Sequence, residues 1–348
     1  MMKHTHGGDV YRYRNCIDFS ANCNPLGTPE SVREAIRQCL DHLHEYPQVG
    51  SLDLLDPIAD YEGVPKNQVI CGNGAAEVIF SLCRALSPKR AMVLAPTFAE
   101  YEQALRSVNC NVQYFYLNQN RDFAVDESLF DAITEELDMF FLCNPNNPTG
   151  MLTDREFLIR LLKKCRETGV FFVIDECFLD FVREGDAYTM KALLPEYDNL
   201  FLLKAFTKRY GMAGVRLGYG LSGNRSLLDT MEEMTQPWNV STLAQAAGKA
   251  ALQEPDFLRK GREIALTERE YLRKELTDIG YHVYPSKANY LFFEAPETLF
   301  KECRERGFLI RDCSNYPGLS KGFYRIAVRL HEDNEALIQT LREIERKN

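Results

Sequence analysis

The chain has 348 residues, a formal net charge of -9 and 45% hydrophobic residues, enough to bury a substantial core and to divide into more than one domain. The acidic balance excludes nonspecific nucleic-acid binding, which needs a basic footprint, but leaves room for a local basic pocket that takes an anionic ligand. Eleven cysteines occur without a Cys-x-x-Cys pair, a Cys/His cluster or a secretory signal, so we expect no zinc site, no disulfide framework and a reduced, cytoplasmic protein without a membrane span.

Strand-like runs alternate with helical patterns along most of the chain, which predicts an α/β fold with crossovers on a mostly parallel sheet. The first such unit is Val69-Ile-Cys-Gly72-Asn73-Gly74-Ala75-Ala76-Glu77. A short strand passes through glycines into a helix, so the backbone N–H groups of Gly74, Ala75 and Ala76 are left to bind an anion such as a phosphate. A Gly-Asn-Gly turn also serves any strand-to-helix junction. Ala91-Met-Val-Leu-Ala95 is a second strand, followed by Pro96-Thr-Phe98. Met139-Phe-Phe-Leu-Cys143 is a third, and it runs into the turn-forming Asn144-Pro-Asn-Asn147-Pro148-Thr-Gly150. The Asn147 amide could donate to a ligand oxygen there, or the loop could be only a turn.

Thr153-Asp-Arg-Glu156 reads as a capping box, opening a helix whose apolar stripe is Phe157, Leu158, Leu161, Leu162 and Cys165 before Gly169 ends it. The run Val170-Phe-Phe-Val-Ile174 then ends in Asp175, as a buried parallel strand delivers a carboxylate to its C-terminal edge. Asp175 could pair with a heterocyclic nitrogen or simply cap the next turn.

The stretch Lys204-Ala-Phe-Thr207-Lys208-Arg-Tyr-Gly-Met-Ala-Gly214-Val-Arg216 carries the most chemistry. A lysine condenses with an aldehyde once desolvation or nearby cations lower its pKa, and Lys204, Arg209 and Arg216 are close to Lys208 in sequence. The Thr207 hydroxyl and the Arg216 guanidinium are donors suited to a phosphate. A phosphorylated aldehyde with a protonatable ring is pyridoxal 5'-phosphate. Asp175 would keep its ring nitrogen protonated, making the ring an electron sink.

After Trp238 the pattern changes to helices followed by strand-like Tyr290–Phe293, Phe308–Ile310 and Phe323–Val328, and by a packing helix from Glu332 to Lys347 with Leu337, Ile338, Leu341 and Ile344 on one face. This predicts a smaller α+β C-terminal domain. Arg311 and Arg325 follow or interrupt apolar runs, where a charge is costly unless it is paired or binds a ligand.

Taken in this order, the motifs resemble the fold-type I pyridoxal-phosphate enzymes, the class I and II aminotransferase superfamily, over nearly the whole chain. The resemblance implies an N-terminal arm and helix over residues 1–40 that complete the small domain, a large cofactor-binding domain over 41–237 and a small domain over 238–348. It implies Lys208 and Asp175 as the catalytic pair, and cofactor contacts from Gly74, Ala75, Ala76, Asn147, Thr207 and Arg216. Phe98 is expected to stack on the ring, and Tyr46, in His44-Glu-Tyr46-Pro47, to reach the phosphate of a neighbouring subunit in a homodimer.

Within the superfamily, His6-Gly7-Gly8-Asp9, Asp18-Phe-Ser-Ala-Asn22-Cys-Asn24-Pro25-Leu-Gly27, Phe98-Ala-Glu-Tyr101, Asp175-Glu-Cys-Phe178, Pro237-Trp238-Asn-Val-Ser241 and Leu309-Ile-Arg311-Asp-Cys-Ser-Asn-Tyr-Pro-Gly318 resemble a branch that decarboxylates phosphothreonine for the aminopropanol linker of cobalamin. The histidinol-phosphate aminotransferases are similar too, but usually have Tyr where this chain has Phe178, and phenylalanine cannot hydrogen-bond the cofactor's phenolic oxygen. The resemblance implies that His6, Gly7, Asn22, Asn147, Arg311 and Arg325 bind substrate, with Arg325 on the carboxylate and Arg311 on the phosphate. Transamination of a histidinol-phosphate-type substrate, and decarboxylation of phosphoserine, remain open. The latter substrate lacks one methyl, worth only about 1–3 kcal/mol in a pocket.

Overall fold

The computed structural model describes residues 6–346. Thirteen strands are formed by the described residues, beginning with the short β1 (Ile17–Asp18). β2 (Val69–Gly72), β3 (Arg90–Ala95), β4 (Asn111–Tyr116), β5 (Met139–Cys143), β6 (Phe171–Asp175), β7 (Leu200–Ala205) and β8 (Gly218–Ser222) build one sheet in the order β2-β8-β7-β6-β5-β3-β4. The β3–β4, β3–β5, β5–β6 and β6–β7 pairs are parallel, and β8 runs antiparallel to β7 and β2. β5, β6 and β7 are buried throughout, which explains why they read as unbroken apolar runs rather than alternating ones.

That register positions the chemistry. Cys143 pairs with Asp175, and Asp175 with Leu203, so the Asn144–Gly150 loop, the Asp175 carboxylate and the helix Phe206–Arg209 that follows β7 all leave the same C-terminal edge. The helix Gly74–Leu86 follows β2 directly, and its N-terminus meets the start of β8.

The second sheet is β9 (His282–Val283), β10 (Tyr290–Glu294), β12 (Arg311–Asp312) and β13 (Phe323–Ala327), antiparallel in the order β12-β13-β10-β9, while β11 (Phe308–Leu309) pairs in parallel with β1. Phe19 donates to the Leu309 carbonyl (2.8 Å) and accepts from the Ala327 amide (2.7 Å), which stitches the N-terminal arm into this layer. Leu272 and Leu276 of the helix Pro255–Ile279, and Leu337, Ile338, Leu341 and Ile344 of the helix His331–Glu345, cover it with Phe293, Tyr324 and Ile326. The far end of that last predicted helix, Lys347, lies outside the described residues. Val32 of the helix Glu30–Gln38 and Ala244 and Ala247 of the helix Thr242–Ala251 pack instead in the core of the large sheet with Leu54 and Leu202.

Two local expectations need correction. The helix expected from Thr153 is Arg155–Glu167, and its N-cap is Asp154, whose Oδ1 accepts from the Phe157 amide at 2.8 Å. The Thr153 amide is taken by Asn144 Oδ1 (2.7 Å) and its carbonyl by Asn144 Nδ2 (3.1 Å), so Thr153 closes the preceding loop. The run Phe308–Ile310 ends as a strand at Leu309, and Arg311 begins a separate strand paired with β13.

Candidate active site

A cavity of about 380 Å³ opens between the C-terminal edge of the large sheet and the small sheet. Lys208 lines it on the short helix after β7, and the Lys208 carbonyl accepts from the Asn24 amide at 2.8 Å. Lys208 Nζ stands 5.7 Å from the centre of the Phe178 ring. Two of the cations near Lys208 in sequence are directed elsewhere. Lys204 makes a buried 2.7 Å ion pair with Glu176. The Arg209 guanidinium is enclosed by Tyr61, Phe206, Tyr210 and Tyr219 rings and faces Glu62 and Asp180. Strand alternation and the helical turn send these side chains to the opposite side, so Lys208 does not owe its environment to them.

Asp175 is buried on the cavity wall. Its Oδ2 accepts from the Tyr101 hydroxyl at 2.5 Å and its Oδ1 from the Cys177 amide at 2.9 Å. Burial pushes its carboxyl above the usual range, and the contacts with Cys177 and Tyr101 and the charge of Lys208 oppose that push. Asp175 therefore serves as more than a turn cap. Tyr101 is held face to face with Phe141 (5.0 Å between centres, 13° between planes) and edge-on to Phe98 (5.5 Å). Tyr101 has no role in the motif resemblance, and its only sequence signal is its position three residues after Phe98, on the first turn of the helix Ala99–Ser107 that leaves β3.

The phosphate end is built from backbone. The helix Gly74–Leu86 has no side-chain cap from Asn73, so its first-turn N–H groups remain donors, and Ala75 and Ala76 line the cavity. Gly74 has φ +79°, and a Cβ there would lie 2.5 Å from Arg216 Nη2. Glycine is what lets the guanidinium reach the helix N-terminus. Thr207 and Arg216 line the same cavity.

At the other end, Arg325 donates through Nη1 to Asn147 Oδ1 and through Nη2 to the Ser20 carbonyl (2.7 Å). With Oδ1 engaged, the Asn147 amide has Nδ2 left to donate into the cavity, so Asn147 is more than a turn residue. The turn itself is held by its neighbour: Asn146 accepts from Thr97 Oγ1 (2.8 Å), donates to the Pro96 carbonyl (3.0 Å), and its carbonyl accepts from the Tyr290 hydroxyl (2.8 Å). Arg311 pairs directly with Arg325 across β12–β13, both are buried, at 7% and 5% exposure, and both line the cavity. Arg311 donates to Asn315 Oδ1 (2.8 Å) and lies over the Tyr316 ring.

His6, Gly7 and Asn22 also line the cavity, and Asn22 Oδ1 is buried without a hydrogen-bond partner among the described residues. Phe98 and Phe178 contribute the aromatic wall. Tyr46 is the exception: it is 79% exposed, stacks on Trp238 at 4.7 Å, and does not line the cavity of its own chain.

These residues fit pyridoxal phosphate. An uncapped helix N-terminus, Thr207 and Arg216 converge where a phosphate would sit, an amine and a buried carboxylate share one chamber, and the Asn147 amide has a donor to spare. No group of three or more His, Cys, Asp or Glu suited to a metal occurs among the described residues.

A mostly parallel sheet presenting a lysine, an aspartate and a phosphate cradle at its C-terminal edge, closed by a smaller antiparallel layer, defines a class of cofactor-binding enzyme folds, and the chain belongs to the aminotransferase class I and II family, matching over residues 14–341. It is 38% identical to a Caldanaerobacter subterraneus protein named provisionally as a threonine-phosphate decarboxylase, covering 98% of this chain and 94% of that one. It is 33% identical to the threonine-phosphate decarboxylase of Salmonella typhimurium, covering 97% and 96%. Among solved structures, the histidinol-phosphate aminotransferase of Clostridium acetobutylicum superposes with a TM-score of 0.88 at 27% identity, covering 95% of this chain and 99% of that one.

Proposed function

We propose that the protein is a pyridoxal-phosphate-dependent carboxy-lyase that converts L-threonine O-3-phosphate to (R)-1-amino-2-propanol O-phosphate and CO2, supplying the aminopropanol linker of cobalamin. The observation that carries this reading is the buried pair Arg311 and Arg325, directly opposed on adjacent strands. Like charges so placed repel, and a ligand with two anionic groups relieves the repulsion. Phosphothreonine satisfies both arginines with a phosphate and a carboxylate in one molecule, whereas histidinol phosphate satisfies only one and an aminotransferase would fill the second with its 2-oxoglutarate partner. The similarity to the two threonine-phosphate decarboxylases supports the same choice.

When bound, the cofactor supplies an electron sink for the pair left at the substrate Cα. Asp175 holds a proton at the ring nitrogen, and Tyr101 holds Asp175. Arg325 takes the carboxylate, Arg311 and His6 take the phosphate, and their joint grip selects which Cα bond is aligned to break. Lys208 Nζ would hold the cofactor's aldehyde carbon and, when free, would return a proton to the substrate Cα. Phe178 offers no hydroxyl to the phenolic oxygen, so the Asn147 amide takes that contact.

The stripe Leu40, Leu43, Tyr46, Val49 and Leu52, continued by Trp238, is exposed, an apolar area of the kind that marks an interface. A second copy covers it in a homodimer, and Tyr46 then serves the neighbouring site. The eleven cysteines are unpaired, as in a reducing cytoplasm.

The test is CO2 release from phosphothreonine by the cofactor-loaded protein without an added oxo acid. Borohydride reduction followed by peptide mapping checks the anchor: the cofactor mass appears on the peptide containing Lys208, and on no other.

A further inference from the structure

Glu100 is, beside Asp175, the second carboxylate in a cavity that Lys208, Arg216, Arg311 and Arg325 equip for anions. It stands next to Phe98 and Ala99 in the same wall, and its Oε1 lies 3.1 Å from His6 Nδ1. Its second oxygen, Oε2, is buried without a hydrogen-bond partner among the described residues. A negative charge there opposes a phosphorylated ligand unless it does something for the cations around it.

His6 has two independent attachments. The backbone after it is docked on Ser20: the Gly8 amide donates to Ser20 Oγ (2.7 Å), and Ser20 Oγ donates to Asp18 Oδ1 (2.6 Å). Gly7 lies so close that a Cβ there would stand 2.3 Å from the Ser20 carbonyl oxygen. The imidazole itself is held by Glu100. With Nδ1 engaged, Nε2 is the nitrogen left to meet a ligand.

We propose that Glu100 is a positioning residue for substrate binding, which seats His6 in the cavity it lines together with Arg311, so that the phosphate meets His6 and Arg311 together. The contact with Glu100 raises the His6 pKa above its ordinary 6.5, against burial and the charge of Arg311, which both lower it. The other ionisable groups around the arm are Arg325, whose Nη2 lies beside Gly7, and Asp9, Tyr13 and Asp312, which line the adjoining pocket with His6. Glu100 is the one that touches the ring. The inference rests on the proposed reaction only for the identity of the anion.

Glu100→Gln keeps the acceptor oxygen and removes the charge. The His6 resonance is followed by NMR from pH 5 to 9 in both proteins, assigned by its loss in His6→Asn. In Glu100→Gln its midpoint falls by about one unit, the worth of a close charge contact. At pH 8 the KM for phosphothreonine rises about tenfold, matching that shift, while kcat falls far less, and at pH 6 the difference shrinks. In a His6→Asn background, Glu100→Gln leaves KM nearly unchanged, because the residue it serves is gone.

Inorganic phosphate, titrated against the same NMR signal, binds more weakly to Glu100→Gln at pH 8; this arm needs no turnover and separates the inference from the proposed reaction. An unshifted His6 midpoint, or an equal KM penalty with and without His6, overturns the proposal.

Discussion

Tyr101→Phe deletes one oxygen from a fully buried side chain behind the cavity wall. The hydroxyl donates to Asp175 Oδ2 at 2.5 Å, and the buried carboxylate has the Cys177 amide on its other oxygen. A hydrogen bond to a charged acceptor contributes about 1.5–3 kcal/mol, and at 1.36 kcal/mol per unit its loss moves the Asp175 pKa further up by about one to two units. Asp175 must be ionised to hold the proton at the ring nitrogen, so the loss falls on kcat below the shifted pKa, by roughly 10- to 100-fold on the acid limb. KM changes little, since Arg311, Arg325 and His6 are untouched. The acid limb of the kcat profile moves up by the same one to two units. The ring stack on Phe141 survives in phenylalanine, and thermal unfolding checks that it does. The assay is steady-state CO2 release from pH 5.5 to 9 in wild type and variant. A kcat within about twofold of wild type with an unmoved acid limb would refute the role assigned to Tyr101.

Other consequences can be measured separately. Lys208→Ala retains the fold and lowers turnover by more than about 10³-fold, because it removes both the anchor and the proton carrier; single-turnover product formation reads this. Arg325→Gln raises the phosphothreonine KM and lowers kcat together, because it removes the carboxylate grip and frees Asn147; a change in KM alone would show that the guanidinium only attracts substrate. Glu62 is buried, which by itself raises its pKa, yet Lys204, Arg209, the Tyr219 hydroxyl and Lys191 hold it down at about 2 against an ordinary 4.5. Its folded pKa is depressed, so it stabilises the fold above pH 4.5 and that contribution, about 3 kcal/mol for 2.5 units, is lost as the pH falls towards 2. Urea unfolding of apo wild type and Glu62→Gln should differ by about this much at pH 6 and converge near pH 2. Tyr46→Ala together with Trp238→Ala weakens self-association, which light scattering across a concentration series reads as a shift from dimer to monomer mass.

The parts legible in the sequence were those whose signal is local. β5 and β6 declared themselves as apolar runs, and the turn residues after them marked the C-terminal edge where Asn147 and Asp175 sit. β8 did not, because Gly218 and Gly220 dilute its strand character, and the edge strand β4 hides behind polar Asn111 and Gln113. Thr153 and Asp154 are both good caps, and only the tie between Thr153 and Asn144 decides between them. Contacts between distant segments were out of reach in principle. Nothing in the neighbourhood of Glu62 in sequence announces Tyr219, and nothing near His6 announces Glu100. The converse error arose at Lys208, where Lys204 and Arg209 are close in sequence but face the other side of the sheet. Tyr46, expected to reach the phosphate of a neighbouring subunit, is exposed and stacks on Trp238 within its own chain, and a contact made across a dimer is not written in one chain's residues.

The central claim is that this cavity takes carbon dioxide, not an amino group, from phosphothreonine. Incubating the cofactor-loaded protein with phosphothreonine, with and without 2-oxoglutarate, and following CO2 and phosphorylated product by mass spectrometry tests it directly. We expect equimolar CO2 and aminopropanol phosphate at a rate that does not depend on the oxo acid. Glutamate formation that requires 2-oxoglutarate, with no CO2, would contradict the account and make a histidinol-phosphate-type aminotransferase the reading to pursue.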